Sequence, residues 1–226
     1  MPGIQLYDKL LQFPLFQGVG RGELMQIISR TKFNFMKFPA GKRIAREGDL
    51  CKNMYLLMNG TIKITTSADN HSYTIEEHLG APYMIQPECI FGVSPFFRSY
   101  VHAQTDVSII AISRKEMMNL SETFIAFRMN IVSFFATRTQ KHLNRIWKHS
   151  PTTTRERIAL FIISHCSHPA GHKTIKIKMT QMAEELNDNR LNVSTALNAM
   201  QADGLITLSR GVITVPKLEK IIQFTE

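Results

Sequence analysis

The chain has 226 residues, enough for two domains with separate cores, and no apolar run long enough to cross a bilayer. Its formal net charge of +9 suits a polyanionic partner, yet the excess is +4 over residues 117–150 against +3 over 1–116 and +2 over 151–226, so charge alone does not locate a nucleic-acid site. Three dispersed cysteines (Cys51, Cys89, Cys166) make neither a disulfide framework nor a four-ligand iron–sulfur cluster. With no basic, apolar leader at MPGIQLYDKLLQFPLF, a reducing cytoplasm and no membrane are expected.

Residues 1–30 carry short amphipathic helical signals punctuated by Pro14 and by Gly18, Gly20 and Gly22. From 33 to 112, short apolar or alternating runs (Phe33–Phe38, Met54–Met58, Thr61–Thr66, Ser72–His78, Ser108–Ile112) are separated by Gly41, Gly48, Asn59-Gly60, Asp69-Asn70, Gly80 and Pro82. Many short strands at this spacing predict a barrel or jelly roll. Ser113-x-x-Glu116 is a capping-box signal opening a helix that meets no Pro or Gly until about Lys148, some 50 Å at 1.5 Å per residue. Its stripe Met117, Leu120, Phe124, Phe127, Ile131 and Phe134 keeps three-four spacing. Leu120, Phe124, Phe127, Ile131 and Phe134 are therefore expected to form a dimer seam, with packing on the chain's own β domain as the alternative.

After His149-Ser150-Pro151, a second capping box, Thr153-x-x-Glu156, opens a helix through Ile163, and Lys173–Met179 alternates as a strand. The segment from Met179 to Val215 then has the pattern of a winged helix-turn-helix. Thr180 is placed to cap a first helix burying Met182, Ala183 and Leu186, and Asn187-Asp188-Asn189 breaks it. Asn189 caps a second helix burying Val193, Ala196, Leu197 and Met200. The opposite face of that second helix carries Arg190, Asn192, Ser194, Thr195 and Asn198, donors and acceptors of the size that reads base edges in a major groove. Gly204 stops it, and Leu205–Leu208 and Val212–Val215 form a hairpin around Ser209-Arg210-Gly211. Arg210 at the hairpin tip, with Thr180 and Gln181 at a helix start, are candidate phosphate contacts. The competing reading is a generic helical hairpin with a solvated polar face.

This order of elements resembles the cAMP receptor protein/FNR (Crp/Fnr) family of bacterial transcription regulators. The resemblance rests on Leu15-Phe16-x-Gly18 with Glu23-Leu24, on Gly41-x-x-Ile44-x-x-Glu47-Gly48-Asp49, on Met54 to Gly60, and on Leu197 to Val215. It implies an α+β protein. Residues 1–116 would be a double-stranded β-helix (jelly-roll, cyclic-nucleotide-binding-like) effector domain, 117–149 a central dimerisation helix, and 150–226 a winged helix-turn-helix on double-stranded DNA. A homodimer on a pseudo-palindromic operator, contact with RNA polymerase and no catalytic activity follow from the same resemblance. The sequence departs from the family where cyclic nucleotides bind. Val93 follows Phe91-Gly92 in place of the acidic residue that contacts the ribose, and Arg98-Ser99 follow after a shortened loop. That argues against cyclic AMP and leaves Gly92, Val93, Arg98 and Ser99 as the expected lining for a different effector, with a surface or intramolecular salt bridge as the other reading of Arg98. In the recognition helix Arg190 is kept, whereas Leu191 and Thr195 replace a glutamate and a second arginine, so a different operator is expected.

Two further constellations carry side chains of metal-ligand type. His165-Cys166-x-His168-x-x-x-His172 has zinc-like ligands, but Pro169-Ala170-Gly171 places it in a turn after a helix whose apolar face Cys166 can complete. Met84, Cys89 and His102 are each conceivable axial haem ligands, though no Cys-x-x-Cys-His motif exists. His71 and His78 lack the His-x-His spacing of a cupin-like metalloenzyme, and the alternatives that remain are a haem- or gas-sensing member of the same family and an effector-independent regulator whose β-roll is only a scaffold.

Overall fold

The computed structural model describes residues 2–146 and 151–224. Its elements in chain order are α1 (Pro2–Leu10), α2 (Arg21–Arg30), β1 (Asn34–Phe38), β2 (Arg43–Ala45), β3 (Asn53–Asn59), β4 (Thr61–Ser67), β5 (Thr74–Gly80), β6 (Tyr83–Ile85), β7 (Tyr100–Ala103) and β8 (Val107–Ser113). There follow α3 (Arg114–Thr123), α4 (Ile125–Ile146), α5 (Thr154–His165), β9 (Lys173–Lys176), α6 (Met179–Glu185), α7 (Arg190–Ala202), β10 (Thr207–Ser209), β11 (Val212–Val215) and α8 (Leu218–Phe224). They form two compact units: one from described residues within 1–61, 80–98 and 102–148, the other from 62–79, 99–101 and 149–226. The units do not follow chain order, because the β4–β5 hairpin clusters with the C-terminal segment.

In the first unit, β8 and β3 are the inner strands of a four-stranded antiparallel sheet ordered β1-β8-β3-β6. The register pairs Phe35 with Ile110 and Leu56 with Ile110, and successive residues alternate faces. Leu56, Met54, Ile110 and Ile112 point into a core shared with Leu10, Phe16, Leu24 and Ile27 from the N-terminal helices. At the β3–β4 turn Gly60 has φ +85°, and a Cβ there would lie 2.4 Å from the Asp106 carbonyl oxygen, so only glycine fits.

The helix expected to run unbroken from Ser113 is two helices. Ser113 Oγ does accept from the Glu116 N–H, but Phe124 is extended (φ −117°, ψ 107°) and separates α3 from α4. The physical reason is burial. Phe124 is 6% exposed and Phe127 0%, Phe127 packs 5.3 Å from the Phe16 ring, and Asn130 Nδ2 donates to the carbonyls of Leu15 and Gln17. The chain bends to lay this face on its own core. The expected seam is therefore corrected at Leu120, Phe124 and Phe127. Leu120, Phe124 and Phe127 are core residues, and Ile131 and Phe134 pack partly against the same core. The end of the expected helix at Trp147–Lys148 and the His149-Ser150 linker lie outside the described residues.

In the second unit the strands run β10-β11-β9-β5-β4. The pairing of β5 with β9 sets Ile75 opposite Ile175 and Glu77 opposite Lys173. Tyr73 and Ile75 from the hairpin share one core with Ile158, Phe161 and Ile162 of α5, Ile175 of β9, and Val193, Leu197 and Met200 of α7. Within it Lys173 and Glu77 make a buried ion pair at 2.7 Å, and Glu77 also accepts from Ser167 N, Ser167 Oγ and His168 N. Four acceptor contacts around one carboxylate are what make its burial tolerable.

Candidate nucleic-acid interface

The helix-turn-helix is built from α6 and α7. The N-cap of α6 is Lys178, whose backbone N–H is accepted by Gln181 Oε1 at 3.2 Å, so the helix starts one residue before the expected cap Thr180, which is itself exposed. Asn187 takes a left-handed backbone (φ +48°) in the turn. Asn189 then caps α7 as expected, its Oδ1 accepting from the Asn192 N–H at 2.8 Å. The three-four spacing of Val193, Leu197 and Met200 buries one face of α7 completely. At about 2 kcal/mol per buried aliphatic side chain, that face fixes which residues turn outward.

Those outward residues are Arg190, Leu191, Asn192, Thr195 and Asn198, all exposed, with Ser194 half-buried. Leu191 is 75% exposed. An aliphatic side chain so placed beside Arg190 has no packing role in the unit, and contact with a thymine methyl is the chemistry it can offer. Arg190 has no acidic partner among the ion pairs of the described residues, unlike Arg155, paired with Asp203, and Arg157, paired with Asp188. The wing is the β10–β11 hairpin, in register Thr207–Thr214 to Ser209–Val212, with Gly211 at φ +71° closing the turn. Its tip Arg210 is exposed, and Gln201 Oε1 accepts from the Leu208 N–H at 2.6 Å, tying wing to recognition helix. Between them, Ile177, Met182, Leu197 and Ile213 line a small apolar crevice of about 80 Å³ under the wing, of the order of a few water molecules.

Sequence reasoning did not single out Asp188. Its side chain is 6% exposed and takes hydrogen bonds from Thr154, Arg157, Asn189 and Asn192. Hydrogen bonds from Thr154 and Asn192 hold its carboxyl below the ordinary aspartate range. Its one sequence signal was position: an acidic residue beside a helix N-terminus, where the dipole favours negative charge.

The remaining candidates are scattered. In the first unit Arg98 Nη1 lies 3.1 Å from Glu47 Oε1, and the Arg98 N–H donates to Gln86 Oε1. Gly92 is pressed on the Glu88 carbonyl, and Val93 is fully exposed. In the second unit Ser99 is buried and shares a 2.7 Å hydrogen bond with Thr66 Oγ1. Met84 is buried, His102 lies on β7, and burial pushes the Cys89 thiol up to about 12, with Glu88 and Cys51 adding to it. No three of His, Cys, Asp and Glu converge as metal ligands among the described residues. His165 Nε2 instead meets the Tyr73 hydroxyl at 2.9 Å, and His172 packs edge-on to His78.

Residues 35–124 match the cyclic nucleotide-binding domain family, and residues 156–224 match the Crp-like helix-turn-helix domain family. The chain belongs to the Crp/Fnr family. It is 22% identical over 211 residues to the cyclic AMP receptor protein of Thermus thermophilus, covering 89% of this chain and 92% of that one. The solved catabolite activator protein of Thermus thermophilus superposes with a TM-score of 0.53 at 21% identity, covering 94% and 98% of the two chains. A Crp/Fnr-family regulator structure from Eubacterium rectale gives 0.51 at 20% identity, with the same coverages. The architecture is therefore a cyclic-nucleotide-binding β-sandwich followed by helices and a helix-turn-helix, and this Crp/Fnr protein is a DNA-binding transcription regulator. No helix among its described residues is long and apolar enough to cross a membrane.

Proposed function

We propose that this Crp/Fnr protein acts as a homodimer on a pseudo-palindromic operator, reading it through α7 rather than catalysing a reaction. The observation that carries the reading is the division of α7 into a sealed apolar face and an exposed face holding Arg190, Leu191, Thr195 and Asn198. Arg190 donates two hydrogen bonds to guanine O6 and N7, Thr195 and Asn198 complete the base or sugar contacts, and Arg210, Thr180 and Gln181 hold phosphates. Two-fold symmetry supplies the second recognition helix one DNA turn away.

The dimer seam on this reading is the outward face of α4. Ile125, Met129, Val132 and Ala136 are exposed on alternating four- and three-residue steps, and Leu143, also exposed, lies one heptad beyond Ala136. Such a heptad stripe on a solvated helix is what a parallel coiled coil covers. Activity of the regulator would then involve RNA polymerase and a reducing compartment, in keeping with three buried cysteines outside any disulfide.

For the effector, Gly92, Val93 and Arg98 of the first unit remain the proposed lining, for a ligand other than cyclic AMP, while Ser99 is buried against Thr66 in the second unit. A second reading, regulation without effector, is favoured by one observation: Arg98 is already paired with Glu47. Genome-wide occupancy with motif discovery, followed by binding of purified protein to the recovered duplex, tests the main reading. Affinity should fall steeply with salt, and Arg190→Ala should remove sequence preference. A flat salt response with no effect of Arg190→Ala would overturn it.

A further inference from the structure

Asn192 lies in the first turn of α7, the part of a recognition helix that meets base edges, and its residue type suits adenine. The structure gives its amide another engagement. Asn192 Nδ2 donates to Asp188 Oδ1 at 2.9 Å, while the Asn192 backbone N–H is held by Asn189 Oδ1 at 2.8 Å. Asp188 is in turn fixed from three sides. Its Oδ1 also accepts from the Asn189 N–H at 2.8 Å, and its Oδ2 accepts from Thr154 Oγ1 at 2.6 Å and Arg157 Nη2 at 2.5 Å. Two donors on each oxygen fill the acceptor capacity of the carboxylate, so it cannot swing away without losing charge-assisted bonds.

We propose that Asp188 is a specificity-determining residue that withholds Asn192 from DNA. Bidentate reading of adenine needs one Nδ2 hydrogen and Oδ1 to lie in the plane of the base. The bond to Asp188 takes an Nδ2 hydrogen and fixes the plane of the amide, so the amide does not rotate freely onto a base edge. Base preference at the start of α7 then belongs to Arg190 and Leu191. The clamp also makes a carboxylate acceptable close to a polyanion, because Arg157 neutralises it from α5. Thr154 and Arg157 both lie in the first turn of α5, so the same four bonds set where α7 begins relative to the helix that supports it.

This inference rests on α7 reading DNA, and selection of binding sites from a random duplex library by the purified full-length protein separates the two. Asn192→Ala should return the wild-type motif with affinity changed by less than about threefold. Asp188→Ala should free Asn192 and add an adenine preference at one position, of about tenfold, the scale of one good bidentate contact. That preference should vanish in the Asp188→Ala/Asn192→Ala double variant. Asp188→Asn, which keeps an acceptor for Asn192 Nδ2, should return the wild-type motif and carries the test if Asp188→Ala does not fold by circular dichroism. A merely structural role would lower affinity for all sequences without changing the motif. Loss of a base preference in Asn192→Ala, or an unaltered motif in a folded Asp188→Ala, would overturn the proposal. Failure of the wild-type protein to enrich any motif would instead overturn the DNA-reading premise.

Discussion

Replacing Glu77 by Leu probes the joint between β5 and β9. Side-chain exposures of 0% for Lys173 and 3% for Glu77 place the pair out of water, and the 2.7 Å contact is the only acceptor paired with the ammonium among the ion pairs of the described residues. Removing the carboxylate strands that ammonium together with the N–H groups of Ser167 and His168. Breaking a buried pair from one side typically costs about 3–5 kcal/mol. At about 3 °C per kcal/mol for a chain of this size, the transition of the second unit should fall by roughly 10 °C. Lys173→Met should cost less, about 1–3 kcal/mol, because Glu77 keeps three donors from Ser167 and His168. The double variant Glu77→Gln/Lys173→Met keeps an acceptor for those donors and removes both charges, so it should recover most of the loss; against the single variants Glu77→Gln and Lys173→Met its coupling should be about 2 kcal/mol. Calorimetry at neutral pH reads all four variants. A cost below about 1 kcal/mol for Glu77→Leu, or strict additivity of the two positions, would show that the pair is solvated and that β5 is not fixed to β9 as described.

Arg190→Ala should weaken binding to the recovered operator by about 1–3 kcal/mol and relax specificity at one base step per half-site, whereas Arg210→Ala should weaken all duplexes alike and reduce the salt slope by about one, both measured by fluorescence anisotropy. Val132→Asp puts a charge on the exposed α4 face and should shift sedimentation from dimer to monomer while leaving the thermal transition of the first unit in place; Phe127→Ala, a core change, should instead cost about 3–5 kcal/mol. Asn189→Ala removes the α7 cap and should cost about 1 kcal/mol in urea unfolding. With its thiol at about 12, Cys89 should resist iodoacetamide at pH 8.5 in the native protein and react only after unfolding, and rapid native labelling by mass spectrometry would contradict its burial.

Acid should also loosen the β4–β5 hairpin. Burial pushes the Glu76 carboxyl up, but the hydrogen bond from Lys176 and the charges of Lys176, Lys63 and His78 outweigh it, so the group sits below its ordinary value. A carboxylate held low contributes stability that is present above its unfolded pKa of 4.5 and is lost as pH falls below it. Glu76→Gln should flatten that part of the acid unfolding curve, read by far-ultraviolet circular dichroism.

Much of the architecture was legible because local rules carried it. Asn189, Thr153 and Ser113 each hold the caps their spacing announced, since a cap needs only a short polar side chain and a helix start. The strands around Met54, Thr61 and Val212 fall where alternation put them. The short strands β2, β6 and β7 were missed, because three or four residues give too brief a pattern to separate from loop. Of the expected interface residues, Arg190, Thr195 and Asn198 stand outward for the reason read in the sequence, the spacing of Val193, Leu197 and Met200. Asn192 also stands outward but is engaged by Asp188, and no spacing rule reports a hydrogen bond across a turn.

What the chain alone settled were periodic and local matters: which residues of α7 are sealed, where helices begin, and which glycine turns break the strands. The fold decided what depends on distant partners. The apolar stripe of the central helix could face its own domain or a second copy with equal periodicity, and only packing against Leu10, Phe16 and Leu24 turned Phe124 and Phe127 inward and left Ile125, Met129 and Val132 in solvent. In the same way Glu77 and Lys173, 96 positions apart, are unremarkable strand charges until β5 and β9 pair, because burial and electrostatics are set by what packs in space and not by what precedes in the chain.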